Sequence, residues 1–140
     1  MKKALFTLFA TLCIMVCVHV AQAQIVKYEP HVTLDELQVD YRWQREKVFV
    51  KNSNAVLNFQ LTNLSDSHLE VHFVVAYYRD GQIFFESEKN AICLKPDQRL
   101  RGGRAGLRFV AEGILLEDVE KEGFDWDILI SEIDEVNDCD

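Results

Sequence analysis

The histidines, cysteines, arginines and carboxylates of this chain are the groups that could do chemistry, and their spacing decides how much. Beyond residue 23 the histidines are His31, His68 and His72. His68 and His72 are four apart, which on a helix would bring two imidazoles to one metal ion. On a strand the same spacing leaves them on one face about 13 Å apart, and the residues around them alternate as a strand does. They read as surface histidines, and no zinc site is assigned. No serine lies in a G-x-S-x-G elbow, and nothing flanking Cys93 marks it as an activated thiol. No catalytic residue and no cofactor are assigned, and the chain reads as a non-enzyme.

Carboxylates dominate the C-terminal part. Twelve of them face the single cation Lys121 over residues 112–140. Asp125-Trp126-Asp127 and the tail acids Asp134, Glu135, Asp138 and Asp140 are hard oxygen donors of the kind calcium prefers. No stretch matches the D-x-D-x-D-G calcium frame, so a solvated acidic face is expected and no metal site is assigned.

Lys95, Arg99, Arg101, Arg104 and Arg108 form the opposite feature, five cations with one acid, Asp97, in fourteen residues. The planar donor fork of arginine suits carboxylate and other anion recognition. The expected arrangement is nevertheless pairing with the acidic C-terminal strand, because neighbours in sequence are usually neighbours in space. Tyr78, Phe84 and Phe85 complete a candidate binding patch with Arg99, Arg101, Arg104 and Arg108. Aromatics on both faces of one hairpin mean either a covered central strand or an edge strand inviting a partner strand. Gly102, Gly103 and Gly106 read as turn or bulge residues, since no strand-to-helix context makes them a phosphate cradle.

These groups need a scaffold, and its compartment comes first. Lys2 and Lys3, a long apolar stretch and Ala21-Gln22-Ala23 have the layout of a secretory signal peptide over residues 1–23, with cleavage before Gln24. Residues 24–140 then form one domain of 117 residues, with no membrane span left after cleavage. The signal carries two of the fifteen basic residues and none of the 23 acids, so the remaining chain has 13 cations against 23 carboxylates. A surplus of negative charge argues against nucleic-acid binding. Cys93 and Cys139 are the two cysteines beyond the signal, and an even pair in an exported chain is expected to form a disulfide.

Period-two alternation marks strands at residues 37–43, 57–62, 69–78, 83–86, 91–94, 107–110 and 127–133. Asp80-Gly81 is the turn of a hairpin, Pro96-Asp97 stops another strand, and residues 114–121 allow one or two helical turns. Apolar residues on both sides of 69–78 mark a central strand. About seven short antiparallel strands predict an all-β, immunoglobulin- or fibronectin-type-III-like sandwich.

Three segments carry a resemblance: VLNFQLTNLSDSHL, FVVAYYRDGQI and LKPDQRL. Through them residues 55–110 resemble the FxLYD domains, immunoglobulin-like domains of bacterial envelope proteins, although the chain reads FVVAYYRDG where the family name implies Phe-x-Leu-Tyr-Asp. The resemblance implies a non-catalytic domain for adhesion, assembly or recognition and transfers no functional residue. The expected function is therefore a periplasmic or secreted accessory protein that binds another protein of the cell envelope. The alternative is a small-ligand or glycan-binding module, in which Trp43, Trp126 and Tyr78 would stack on sugar rings.

Overall fold

The computed structural model describes residues 27–139. The signal peptide expected over residues 1–23 lies outside the described residues. The strands are β1 (Glu29–Leu34), β2 (Leu37–Arg45), β3 (Asn54–Asn63), β4 (His68–Arg79), β5 (Gln82–Glu86), β6 (Asn90–Leu94), β7 (Arg99–Arg101), β8 (Arg108–Leu115) and β9 (Phe124–Val136). Two antiparallel sheets pack as a sandwich. Sheet A runs β1-β2-β3, with β7 and β8 sharing the far edge of β3. In sheet B, β4 has β9 on one edge, and β5 and β6 on the other.

Side-chain alternation builds the interior. Leu37 and Val39 of β2, Leu57, Phe59 and Leu61 of β3, and Leu69, Val71, Phe73, Val75 and Tyr77 of β4 form one buried cluster. The two-sided apolarity of residues 69–78 has the expected cause, since β4 is hydrogen-bonded along both edges. In β9 the inward residues Ile128 and Ile130 are followed not by 132 but by Ile133. Ser131 is an extra residue between the pairs His72–Glu132 and Phe73–Ile130, and this bulge resets which face each side chain takes.

The structure has two strands more than the alternation predicts, β1 and β7. β1 is an exposed edge strand containing Pro30, and its side chains show no buried alternation. β7 has three residues, of which Leu100 is the only apolar one. The helical turn expected within residues 114–121 is a single 3-10 turn, Leu116–Asp118.

Polar contacts tie the two sheets together at both ends. Asn63 of β3 sits on the core-facing side and is almost wholly buried. Its amide Nδ2 donates to the carbonyls of Ser67 (2.7 Å), Leu94 (3.3 Å) and Lys95 (3.1 Å). Its Oδ1 accepts from the backbone N–H and the hydroxyl of Ser65, both at 2.8 Å. One side chain thus anchors the β3–β4 turn and the end of β6. At the other end the Tyr77 hydroxyl donates to the Phe109 carbonyl of β8 at 3.1 Å. Cys93 of β6 and Cys139 beyond β9 form the expected disulfide, with Cα atoms 5.5 Å apart. It ties the two neighbours of β4 across that strand's outer face, closing a loop of 46 residues that the chain-entropy model values at about 4 kcal/mol.

Burial of the Tyr77 ring pushes its phenol above the ordinary tyrosine range. An unfolded chain ionises that hydroxyl near pH ~10, while the folded chain holds the proton to higher pH. The unfolded state therefore binds fewer protons above pH ~10, and stability falls as pH rises through that window. Tyr77→Phe should lose about 1 kcal/mol at neutral pH from the missing hydrogen bond and fall less steeply under alkali. Urea unfolding of both proteins between neutral and strongly alkaline pH measures the difference in slope.

Candidate functional site

Pairing of β3 on both edges turns Asn58, Gln60 and Thr62 to the outer face of sheet A, opposite to its core-facing residues. On β2 their partners are Arg42, Asp40 and Gln38, and across the other edge they are Arg108, Arg101 and Arg99. Three polar rows result: Gln38-Thr62-Arg99, Asp40-Gln60-Arg101 and Arg42-Asn58-Arg108. At the spacing of neighbouring strands each row is about 10 Å wide.

Although this face points outward, Asp40, Asn58, Gln60 and Thr62 are buried. Asp40 accepts from Gln38 Nε2 and Gln60 Nε2, each at 2.8 Å, so two amides engage its carboxylate. Arg42 donates to Gln44 Oε1 at 2.8 Å, and its guanidinium lies over the Tyr28 ring. The Thr62 hydroxyl is buried and has no hydrogen-bond partner among the described residues.

Arg99, Arg101, Arg104 and Arg108 are all exposed, and none forms an ion pair among the described residues. The expected pairing with the acidic C-terminal strand is not found. β7 and β8 belong to sheet A, whereas the chain crosses over after β8 and places β9 in sheet B. Topology overrides nearness in sequence. Arg104 stands on a 3-10 turn between Gly102 and Gly106, whose φ values of 68° and 71° favour glycine. The glycines are turn residues, as their context predicts.

The candidate patch also divides. Tyr77 pairs with Phe85 and Tyr78 with Ile83, leaving Phe84 as a bulge residue. The Phe85 ring stacks on Tyr77 at 5.0 Å and packs against the core, whereas Phe84, 6.2 Å from Tyr77 and 6.3 Å from Phe124 with the Arg79 guanidinium over its ring, stays exposed at the core's margin. Of the four arginines in the patch, Arg108 alone joins them, in a cleft of about 560 Å³ shared with Phe109 and Glu112. Tyr78 faces the other way and lines a separate cavity with Phe124 and Trp126. Arg99 and Arg101 stand apart from all three aromatics, on the outer face of sheet A.

Two groupings escape the sequence. The first is a cavity of about 420 Å³ whose walls include Tyr41, Trp43, Trp126, Glu29, Arg42 and Glu120. The Tyr41 hydroxyl donates to Glu29 Oε2 at 2.9 Å, and that bond to a carboxylate, followed by burial, raises the phenol above its ordinary range. His31 stacks on Trp126 with ring centres 4.6 Å apart and sets Nε2 3.5 Å from Asp127. Both Glu29 and His31 come from β1, the strand without a readable alternation. The second grouping lies on the outer face of sheet B. His72 opposes Glu132, Glu70 opposes Asp134, and His72 Nε2 is 2.8 Å from Glu70 Oε1. His72, Glu132 and Asp134 bring ligand-type atoms within 4.8 Å of one another. Lys89, 3.9 Å from Glu132, supplies counter-charge. His68 shares this face but stands apart, near Asp138.

Comparison with protein-family models, curated proteins and solved structures gives no match to the chain.

The outer face of sheet A contains a structural layer and an uncommitted one, and substitution separates them. Asp40→Ala should cost about 1–3 kcal/mol by leaving two amide donors without their acceptor. Arg99→Ala and Arg101→Ala should stay within about 0.5 kcal/mol. Urea unfolding of the three variants checks the contrast. Arginine losses as large as that of Asp40 would make the guanidinium groups part of the scaffold.

Proposed function

We propose that the chain is a non-catalytic, exported binding protein that recognises an acidic surface of another protein, in an assembly, adhesion or inhibitor role. The outer face of sheet A is the recognition surface. The observation that carries this reading is the set Arg99, Arg101 and Arg108, aligned beside the neutral side chains of Thr62, Gln60 and Asn58 and without carboxylate partners among the described residues, in a chain where acids outnumber bases 23 to 15. A chain so rich in carboxylates has the means to neutralise these arginines internally and leaves them uncommitted.

A flat face of planar donor forks suits carboxylates presented by a folded surface. Complementary charge of this kind speeds encounter and fixes register. The partner is a protein and not a nucleic acid, because the net charge of −8 would repel a phosphate polymer over most of the surface. The Cys93–Cys139 disulfide supports export, since such bonds persist in oxidising compartments. The resemblance of residues 55–110 to FxLYD domains supports a periplasmic or secreted recognition domain of immunoglobulin-like kind.

Affinity capture from the native envelope should recover a stoichiometric acidic partner that Arg99→Glu/Arg101→Glu no longer retains. Retention should weaken as salt rises and the screening length falls from about 8 Å to about 3 Å. A partner bound equally by the charge-reversed variant, or no stoichiometric partner at all, would sink the proposal.

A second reading rests on the cavity lined by Tyr41, Trp43 and Trp126, where aromatic walls meet the charged groups Glu29 and Arg42. Such a site suits a small ligand or a glycan. Binding there should change tryptophan fluorescence when a glycan panel is added to the isolated chain, and Trp43→Ala should abolish the response. A flat response across the panel would leave the aromatics as packing residues.

A further inference from the structure

The connection between β2 and β3 has an unusual tip. Hairpin tips favour Gly, Asn, Asp and Ser, but this one reads Lys47-Val48-Phe49-Val50-Lys51. Phe49 is fully exposed, Val48 is 71% exposed and Val50 47%. A turn has no buried face, so three consecutive large apolar side chains project together into solvent.

The shape is held firmly from within. Glu46 N–H donates to the Asn54 carbonyl at 2.8 Å, Val50 N–H to the Lys47 carbonyl at 3.0 Å, and Ser53 N–H to the Val50 carbonyl at 3.2 Å. The buried Ser53 hydroxyl both accepts from Lys47 N–H and donates to the Lys47 carbonyl, each at 3.2 Å. Backbone groups satisfied inside the hairpin remove part of the penalty of entering an apolar phase.

The flanks carry charge. Arg42, Arg45, Lys47 and Lys51 lie within ten residues against one acid, Glu46, whose carboxylate accepts from Asn54 Nδ2 at 3.1 Å. The acidic β8–β9 connection reaches the same end of the sandwich. There Asp118 is paired with Lys121, and Glu117, Glu120 and Glu122 are exposed, Glu120 on the wall of the cavity it shares with Arg42; the apolar tip itself is bracketed directly by Lys47 and Lys51. A convex apolar tip flanked by lysines is complementary to a bilayer interface: the side chains reach the acyl boundary while the ammonium groups stay at phosphate level. A groove would suit a peptide or a helix; a projecting finger does not.

We propose that residues 47–51 form a finger that inserts reversibly into anionic lipid surfaces. This site is separate from the arginine face of sheet A, so either assignment can fail without the other.

The test uses the full chain with vesicles of phosphatidylcholine alone and of phosphatidylcholine mixed with phosphatidylglycerol. Residues 4–20 are apolar and would adsorb by themselves, so the readout is local: amide hydrogen exchange at residues 47–51. Exchange there should slow with the anionic vesicles and much less with the neutral ones. Phe49→Asp should weaken tip insertion about ten- to a hundredfold, and Lys47→Glu/Lys51→Glu should weaken it about tenfold or more on anionic vesicles alone. Both variants should melt with the parent protein, because the substituted side chains are exposed. Unchanged exchange at the tip with either vesicle, or equal protection in Phe49→Asp, overturns the proposal. Protection of the tip by a captured protein in place of vesicles also overturns it and assigns the finger to a protein pocket.

Discussion

Strand β3 is hydrogen-bonded along both edges, and this leaves each of its side chains only two directions. Leu57, Phe59 and Leu61 take the inner direction and meet β4 across the core; Asn58, Gln60 and Thr62 take the outer one. A slip of one residue would turn three polar side chains into the apolar interior and three large apolar ones into the outer polar layer, so the register is strongly specified. The partners inherit that choice. Arg99, Arg101 and Arg108 stand on the outer face because they lie opposite Thr62, Gln60 and Asn58.

The same rule applied to sheet B gives an outer face of opposite charge. Glu70 and His72 of β4 face outward beside Asp125, Asp127, Glu132 and Asp134 of β9. The sandwich is thus a polarised slab, with guanidinium groups on one broad side and carboxylates on the other. The unpaired edge of β9 is long enough to invite a second strand, and carboxylates together with the Ser131 bulge oppose such pairing. The aromatic cavity lies where the two sheets part, between the ends of β2 and β9.

Much of this architecture is legible from alternation alone. β2, β3, β4 and the β4–β5 hairpin declare themselves because each has one clean apolar side or a clear turn, and the cysteine pair follows from compartment and number. β1 and β7 are hidden because neither buries enough to leave a pattern. The binding patch is visible as composition but not as geometry: period two sends Tyr78 and Phe85 to opposite faces, and a bulge leaves Phe84 exposed at the margin of the core. The acids expected beside the arginines go elsewhere because the chain changes sheets between β8 and β9. Asn63 looks like an ordinary turn residue in the sequence, and only the arrival of Leu94 and Lys95 beside it shows that it joins two sheets.

That late arrival has a consequence for how the molecule comes into being. The carbonyl of Leu94 is 31 residues downstream of the amide that binds it, and Cys139 is 46 residues beyond Cys93. A chain growing from its N-terminus completes β3, and the Ser67 acceptor of its buried amide, long before the acceptors at Leu94 and Lys95 exist, and β4 waits longer still for β9. No half of the sandwich is a finished object. Until β9 arrives, the edge of β4 that it covers is an open template for another strand, and Cys93 has no partner for the sulfur bridge before Cys139.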